Sequence, residues 1–426
     1  MIKNPPFEGG KACSTKHMQS SGDDPQQSDE PMNRRTEKVD LLAIMLVVMV
    51  TACSGTDNKT EVPDYILEMD NISIYSGTDL SETDKIRFMQ EQTFGGSQDL
   101  LIGHIGAIAV DDEERLIIYD GHQSAKTIHL FSPTGEHIRQ IGREGRGPGE
   151  YLSGSQLNIS NDNLLVFDRT LNRHLVYSIE TGEHLQTVQL DLANMESEDP
   201  ITDLRLGGYF KLDNELFLLS LARAQRYYED EPGTSRYFIT DSEFRELSPE
   251  IFRLNRRLEN FGEWQGRRIM SFFPFHPRSL LSVSDSGRIY TAVSDEFFIR
   301  ELNHEGETIG GFYYPVPRIP VTREDARNST NEMTKDIAEK VELPDYWPAL
   351  DRVFTDDEDR LWISTVTDET EPQKWWVTKS NGELLGTFSW PKESVLRMVK
   401  NGFLYAVENS NDAGIPQVIR YRIELE

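Results

Sequence analysis

Cysteine is almost missing from this chain: among 426 residues there are two, Cys13 and Cys53. One such pair, so spaced, builds neither a disulfide framework nor a zinc site. Long apolar runs are scarce too. The run at residues 41–52, LLAIMLVVMVTA, has twelve residues, whereas a spanning helix needs about 20. Positive charge is the third shortage, with 44 Lys and Arg against 72 Asp and Glu, a net −28. A surface this acidic repels phosphate backbones and excludes nucleic acid as a partner; its plain consequence is solubility. Also absent are an Asp-x-Asp-x-Asp-Gly loop, a His-Glu-x-x-His helix and a Gly-x-Ser-x-Gly elbow, and with them the standard calcium, zinc and serine-hydrolase signatures. What is present is a core: hydrophobic residues make up 37% and aromatics 10%, too rich for a disordered chain.

The short apolar run has the length of a signal-peptide core. Arg34, Arg35 and Lys38 precede it as a basic leader, and Val50-Thr51-Ala52-Cys53 follows. That junction resembles the bacterial lipobox, in which small residues precede a cysteine that is diacylated and becomes residue one. Residues 1–31 are polar and do not belong before a signal peptide, so they are read as an upstream extension outside the mature protein. The expected order is then signal peptide at 32–52, lipidated Cys53 and tether at 53–84, and a folded body at 85–426. Ser54, rather than Asp, follows the cysteine, which in enterobacterial-type sorting favours the outer membrane, on its periplasmic or surface side.

One pattern recurs through the body. A β-rich stretch meets a tight polar turn and a second stretch; a third stretch, a turn with Gly and a fourth complete the unit. IGAIAV-DDEER-LIIYD then KTIHLFS-PTGE-HIRQIG is the first copy, and DRVFT-DDED-RLWIST then KWWVTK-SNGE-LLGTFSW the fifth. Asp, Asn and Gly at such turns are hairpin chemistry, because they accept positive φ. Four strands per unit, repeated, are propeller blades. Six copies fit residues 104–426, but the last shows only three good strands, ending in QVIRYRIELE. A fourth is available at 85–94, KIRFMQEQTF. Pairing the two would close the ring and hide two sheet edges.

With its GPGEY at Gly147 to Tyr151, the first copy resembles the NHL-type repeats of six-bladed propeller lipoproteins in Bacteroidetes-like bacteria. The resemblance covers roughly residues 85–426 and implies an all-β, six-bladed propeller of four-stranded blades. It brings no common activity with it. GREGRGPGE lacks the Gly-Lys-Ser/Thr of a phosphate loop and opens no helix, so it is read as turns between blades.

Long loops fall on one face. Turns joining strands two to three, and blade to blade, hold the insertions at 223–234, 255–277, 315–349 and 368–373, whereas the opposite turns are short. Thr322 with Asp325 is spaced as an N-cap pair. Met333, Ile337 and Val341 follow at helical spacing, so one short helix is expected between blades four and five. The insertions carry Tyr227, Tyr228, Trp264, Arg267, Arg268, Phe272, Phe273, Tyr346 and Trp347, residue types favoured at interface hot spots that equally serve to anchor loops. Innermost strands begin with His104, Arg205, His276, Arg278, Arg352 and Arg397, which should line the channel mouth on that same face. Basic groups converging inside an acidic protein can focus a carboxylate- or sulfate-bearing ligand, such as a glycan or peptide terminus. They can equally pair with Asp203 and Asp351 as structural bridges.

The expectation is a binding or scaffolding module on the envelope, without catalytic residues, metal or cofactor. Its partner would be a protein, peptide or glycan, and its contact with the membrane would run through the lipid. The competing reading is a metal-dependent lyase or lactonase-like hydrolase holding Ca or Zn in the channel through His104 and His276. Arginine-rich strand starts weigh against it, because guanidinium neither ligates a cation nor ordinarily acts as a base.

Overall fold

The computed structural model describes residues 62–76, 86–96, 100–123, 126–195, 200–223, 233–366, 372–409 and 414–425. Cys53 and the proposed signal segment lie outside that set, as do Tyr227 and Tyr228. Six antiparallel sheets carry the body. Blade 1 runs from Ile105–Val110 through Leu116–Asp120 and Thr127–Phe131 to His137–Ile141, and blade 2 from Gln156–Ser160 to His184–Gln189. Blade 3 begins with Leu204–Lys211 and ends with Phe252–Asn255; blade 4 lies between Ser279–Val283 and Thr308–Tyr313. Blade 5 lies between Leu350–Thr355 and Leu384–Trp390. Blade 6 combines Val395–Lys400, Phe403–Asn409 and Pro416–Leu425 with Ile86–Gly95, whose pairing runs from Ile86 opposite Leu425 to Gly95 opposite Gln417. Both ends of the body thus share one blade.

Turn chemistry explains the hairpins. In blade 1, Asp111 Oδ1 accepts from the N–H groups of Glu113 and Arg115 at 3.0 and 2.8 Å, and its Oδ2 accepts from Arg115 Nε at 2.7 Å. Asp356 repeats this in blade 5 with Glu358 and Arg360, and also accepts from Trp362 Nε1 at 2.8 Å. One aspartate per turn therefore satisfies the N–H groups that the ladder leaves over. At the opposite kind of turn, Gly306 sits at φ 82° against the blade 3 backbone, where a Cβ would meet the Ile251 carbonyl at 1.9 Å. The glycine is required both by conformation and by room.

Burial follows the ring. Separate apolar layers join blades 1 and 2, 2 and 3, 3 and 4, 4 and 5, and 5 and 6. A further layer, with Phe94, Phe403, Tyr405 and Val418 facing Ile105, Leu116 and Phe131, joins blade 6 back to blade 1. A propeller needs one such layer per blade, since each sheet is apolar on both faces. Blades 2 and 3 are also tied by Gln156, which accepts from the Tyr209 N–H at 2.9 Å and donates to its carbonyl.

Two differences from the sequence reading stand out. Within the stretch taken as tether, residues 62–76 pack on the outside of blade 4: helix α1 (Asp64–Leu67) buries Ile66 against Phe298 and Tyr313, and Ile72–Ile74 adds a parallel fifth strand. Tyr75 then stacks on Tyr314 at 4.7 Å. The 315–349 insertion holds two short helices rather than one, α2 (Arg323–Asn328) and α3 (Lys335–Lys340). Thr322 and Asp325 form the expected capping box on α2. Ser329 ends that helix, so Met333 falls in the turn between the two and is exposed. Among the described residues, no helix is long and apolar enough to cross a membrane.

Candidate functional site

The insertions build a small second core of their own. A hairpin of Asn260–Trp264 and Arg267–Ser271 packs on α3, and Phe273, Phe275, Ala326, Ile337, Ala338 and Val341 form its interior. Arg323 ties the two helices by donating to the carbonyls of Ala338 and Val341 at 2.7 and 2.9 Å. Trp347 is held by its N–H to the Ile319 carbonyl at 2.7 Å, by its indole N–H towards Asp325 at 3.4 Å, and by edge contact with Phe275.

Between this core and the starts of blades 5 and 6 lies a cleft of about 980 Å³, at the upper end of the range for ligand sites. Ile319, Pro320, Trp347, Val366 and Val395 supply apolar wall, Thr322, Asn328, Thr365, Gln373 and Ser394 neutral polar groups, and Arg352, Arg397 and Lys392 the positive charge. Asp351, Glu324 and Asp325 also line it.

The acidic groups on the floor side are committed. Arg278, whose N–H is fixed by Ser294 Oγ at 2.9 Å, donates to the Asp351 carbonyl at 2.7 Å and to its Oδ1 at 3.1 Å. Gln373 Nε2 donates to Asp351 Oδ2 at 2.7 Å. The Arg352 guanidinium is left with no hydrogen bond or ion pair to any described residue and stands 5.9 Å from the Trp375 ring centre. Arg397 reaches only the Ile105 carbonyl, at 3.5 Å, and its Nε is buried without a partner among the described residues. Burial pushes both guanidinium groups below their usual pKa; for Arg352 the Asp351 carboxylate pulls the other way, while the neighbouring Arg397 and Arg278 add to the push. Two desolvated cations side by side are unfavourable on their own account and favourable to an anion.

The structure brings together three of the six proposed mouth residues, Arg278, Arg352 and Arg397. Arg205 is exposed and donates to the Leu204 carbonyl at 3.0 Å. His104 is exposed at the start of blade 1, its backbone N–H held by Asp120 at 3.0 Å. His276 is buried in the insertion core, where Nδ1 meets Asn260 at 3.3 Å and Nε2 meets the Glu342 carbonyl at 3.2 Å. Burial lowers its pKa. With both nitrogens taken, His276 secures the insertion. Among the described residues, no group of three or more His, Cys, Asp and Glu is placed to hold a metal ion.

The proposed aromatic anchors divide similarly. Phe273 is wholly buried in the insertion core, while Phe272 and Tyr346 are exposed. Arg257 lies over the Phe272 ring, Arg318 over Tyr346 and Arg268 over Phe261. Trp264 and Arg267 form the end pair of the hairpin. Asn328, Lys392 and Ser394 were missed by sequence reasoning. For Lys392 and Ser394 the available signal was position, immediately before the inner strand of blade 6.

Comparison with known proteins agrees with this architecture. The model of the family DUF5128, described as a 6-bladed beta-propeller, matches residues 56–256. No curated protein matches the chain. A crystal structure from Bacteroides fragilis, titled as that of a candidate exported protein, is similar with a TM-score of 0.50 and 14% identity, over 83% of this chain and 99% of that one. A member of the duf4221 family from Bacteroides vulgatus is similar with a TM-score of 0.50 and 11% identity, over 81% of this chain and 100% of that one. At such identities the likeness concerns the fold. The chain is a six-bladed β-propeller, matched through its first three blades by the family of that description.

Proposed function

We propose that this protein is a cell-envelope lipoprotein whose propeller binds an anionic ligand, a carboxylate or sulfate, in the cleft over Arg352 and Arg397. The observation that carries the reading is an Arg352 guanidinium with no hydrogen bond or ion pair to any described residue, beside a desolvated Arg397, on a chain with 28 excess negative charges. Carboxylates are plentiful in the chain, yet the nearest, Asp351, is drawn to Arg278 and Gln373. Loops placed by a rigid scaffold are the usual seat of binding. Envelope anchoring rests on the apolar run at 41–52 followed by Cys53. Cys53→Ala is expected to abolish labelling by radioactive palmitate and release the protein from membranes; undiminished labelling would remove the anchor from the account.

Asp351 supplies the test of binding. If Arg278 and Gln373 keep its carboxylate away from Arg352, Arg278→Met frees it to neutralise the floor. Glucuronate is expected to raise the melting temperature of the wild type, and its affinity to fall about tenfold in Arg278→Met, the scale of one charge pair of about 1.4 kcal/mol. Arg278→Met/Asp351→Asn should recover most of that loss. A wild type whose melting ignores glucuronate and sulfate alike would overturn the reading.

A further inference from the structure

Resting on that reading, we infer that the ligand class is an acidic oligosaccharide, one bearing uronate carboxylates, rather than a peptide or a free amino acid. Three features of the cleft separate these classes. The first is the state of its carboxylates. A peptide terminus or amino acid taken whole would bring an ammonium along with its carboxylate, and the ammonium needs an available anion. Asp351 is engaged by Arg278 and Gln373, and Asp325 by the Thr322 cap and the Trp347 indole. Glu324, the remaining lining acid, stands exposed on α2 and acts on Arg327 of the same helix.

The second feature is the neutral polar wall. The Asn328 side chain makes no hydrogen bond to any described residue, and Gln373 spends its amide N–H groups on Asp351 and Ser364, which leaves its carbonyl oxygen to accept. Amides that can both donate and accept match vicinal hydroxyls, which do the same. The third feature is the flat side. Trp347 is pinned at its backbone, at its indole N–H and by perpendicular packing against Phe275, and it lines the cleft beside Pro320. A rigid indole presents area at little entropic cost, and the C–H face of a pyranose is the ligand surface that lies flat on it. The cleft volume of about 980 Å³ accommodates two to three sugar rings, roughly the size of a large drug-like ligand. One ring would place its carboxylate between Arg352 and Arg397 while a neighbouring ring covers Trp347.

The test is calorimetric titration of the purified protein with four uronate trisaccharides (galacturonate, glucuronate, mannuronate and guluronate). Their methyl esters, neutral maltotriose and the free tripeptide Ala-Ala-Ala serve as comparators. At least one uronate trimer is expected to bind at least tenfold more tightly than its own monomer. Esterification should abolish that binding, and Trp347→Ala should weaken it at least tenfold while leaving the affinity for the monomer within threefold. Because Trp347 also packs on Phe275, Trp347→Phe accompanies it and should retain most of the binding. Trimers that bind no better than monomers, or a tripeptide that binds better than every uronate, would overturn the oligosaccharide while leaving an anion site standing. Failure of all anions, sulfate included, would instead remove the site itself.

Discussion

Replacing Arg352 and Arg397 together by methionine should weaken anion binding on the order of 100-fold or more and, at the same time, raise the melting temperature of the ligand-free protein. Each half of this expectation has its own cause. Removing one partner from a desolvated charge pair typically costs about 2–5 kcal/mol of binding, and here two guanidinium groups are removed. In the free protein, however, compensation is incomplete: Asp351 attracts Arg352 across space without pairing with it, and Arg397 reaches one carbonyl at 3.5 Å. Methionine keeps much of the apolar stem and drops the charge, so the desolvation penalty and the mutual repulsion both disappear. Exchanges of buried ionic groups for apolar ones are often stabilising by about 1–4 kcal/mol. A site that costs stability when empty is kept for what it binds. Structural arginines would behave oppositely: their loss would lower the melting temperature and leave any anion affinity unchanged. Melting curves and titrations on the same preparation decide between the two.

A second large effect is expected on acidification, through a residue far from the cleft. His174, in the third strand of blade 2, is buried, stacks on Tyr209 at 5.4 Å and meets Phe244 at 5.1 Å. Its Nδ1 has no partner among the described residues. Burial pushes its pKa down to about 4, against about 6.5 for an unfolded histidine. Between those values the unfolded chain takes up a proton that the folded one refuses, so stability falls as the pH falls. The full difference, about 3 kcal/mol, is present above pH ~6.5 and is lost progressively until pH ~4. Burial moves His129 and His276 the same way and adds to the trend. Urea melts at pH 7.5, 6, 5 and 4 should therefore show a decline that begins near pH 6.5, well above the carboxylate range. His174→Phe should flatten most of that decline while keeping a ring on Tyr209. A variant as acid-sensitive as the wild type would show that His174 is not the group responsible.

Much of the scaffold was legible because the information is local. Asp111 and Asp356 announce their turns by spacing alone, and Gly306 stands where only glycine fits. The strand at Ile86–Gly95 could be placed because blade 6 otherwise lacks its outer edge. What local pattern could not reveal was tertiary. Helix α1 and the strand Ile72–Ile74 span four and three residues, too few for any periodicity, and they gain their place only by burying Ile66 against Phe298 and Tyr313. The Met333, Ile337, Val341 spacing looked like one helix. Ile337 and Val341 are buried in the insertion core, whereas the turn after Ser329 leaves Met333 outside.

The site divides along the same line. Arg278, Arg352 and Arg397 could be grouped from the repeat because Arg278 stands just before one inner strand and Arg352 and Arg397 lie within two others. His276 occupies a similar place in sequence, yet its neighbours Asn260 and Glu342 come from insertions whose folding no repeat describes. Nor could spacing show that Asp351 would choose Arg278 over the adjacent Arg352. Gln373, which arrives from the third strand of blade 5, holds the other oxygen of that carboxylate.

The central claim is that Arg352 and Arg397 form an anion site, and it is tested most directly by phenylglyoxal footprinting with peptide mass spectrometry, with and without glucuronate. The account predicts that glucuronate protects Arg352 and Arg397 at least severalfold while Arg267, exposed at the hairpin turn, reacts equally in both conditions. Equal modification of Arg352 and Arg397 with and without glucuronate, at a concentration that leaves Arg267 unaffected, would contradict it.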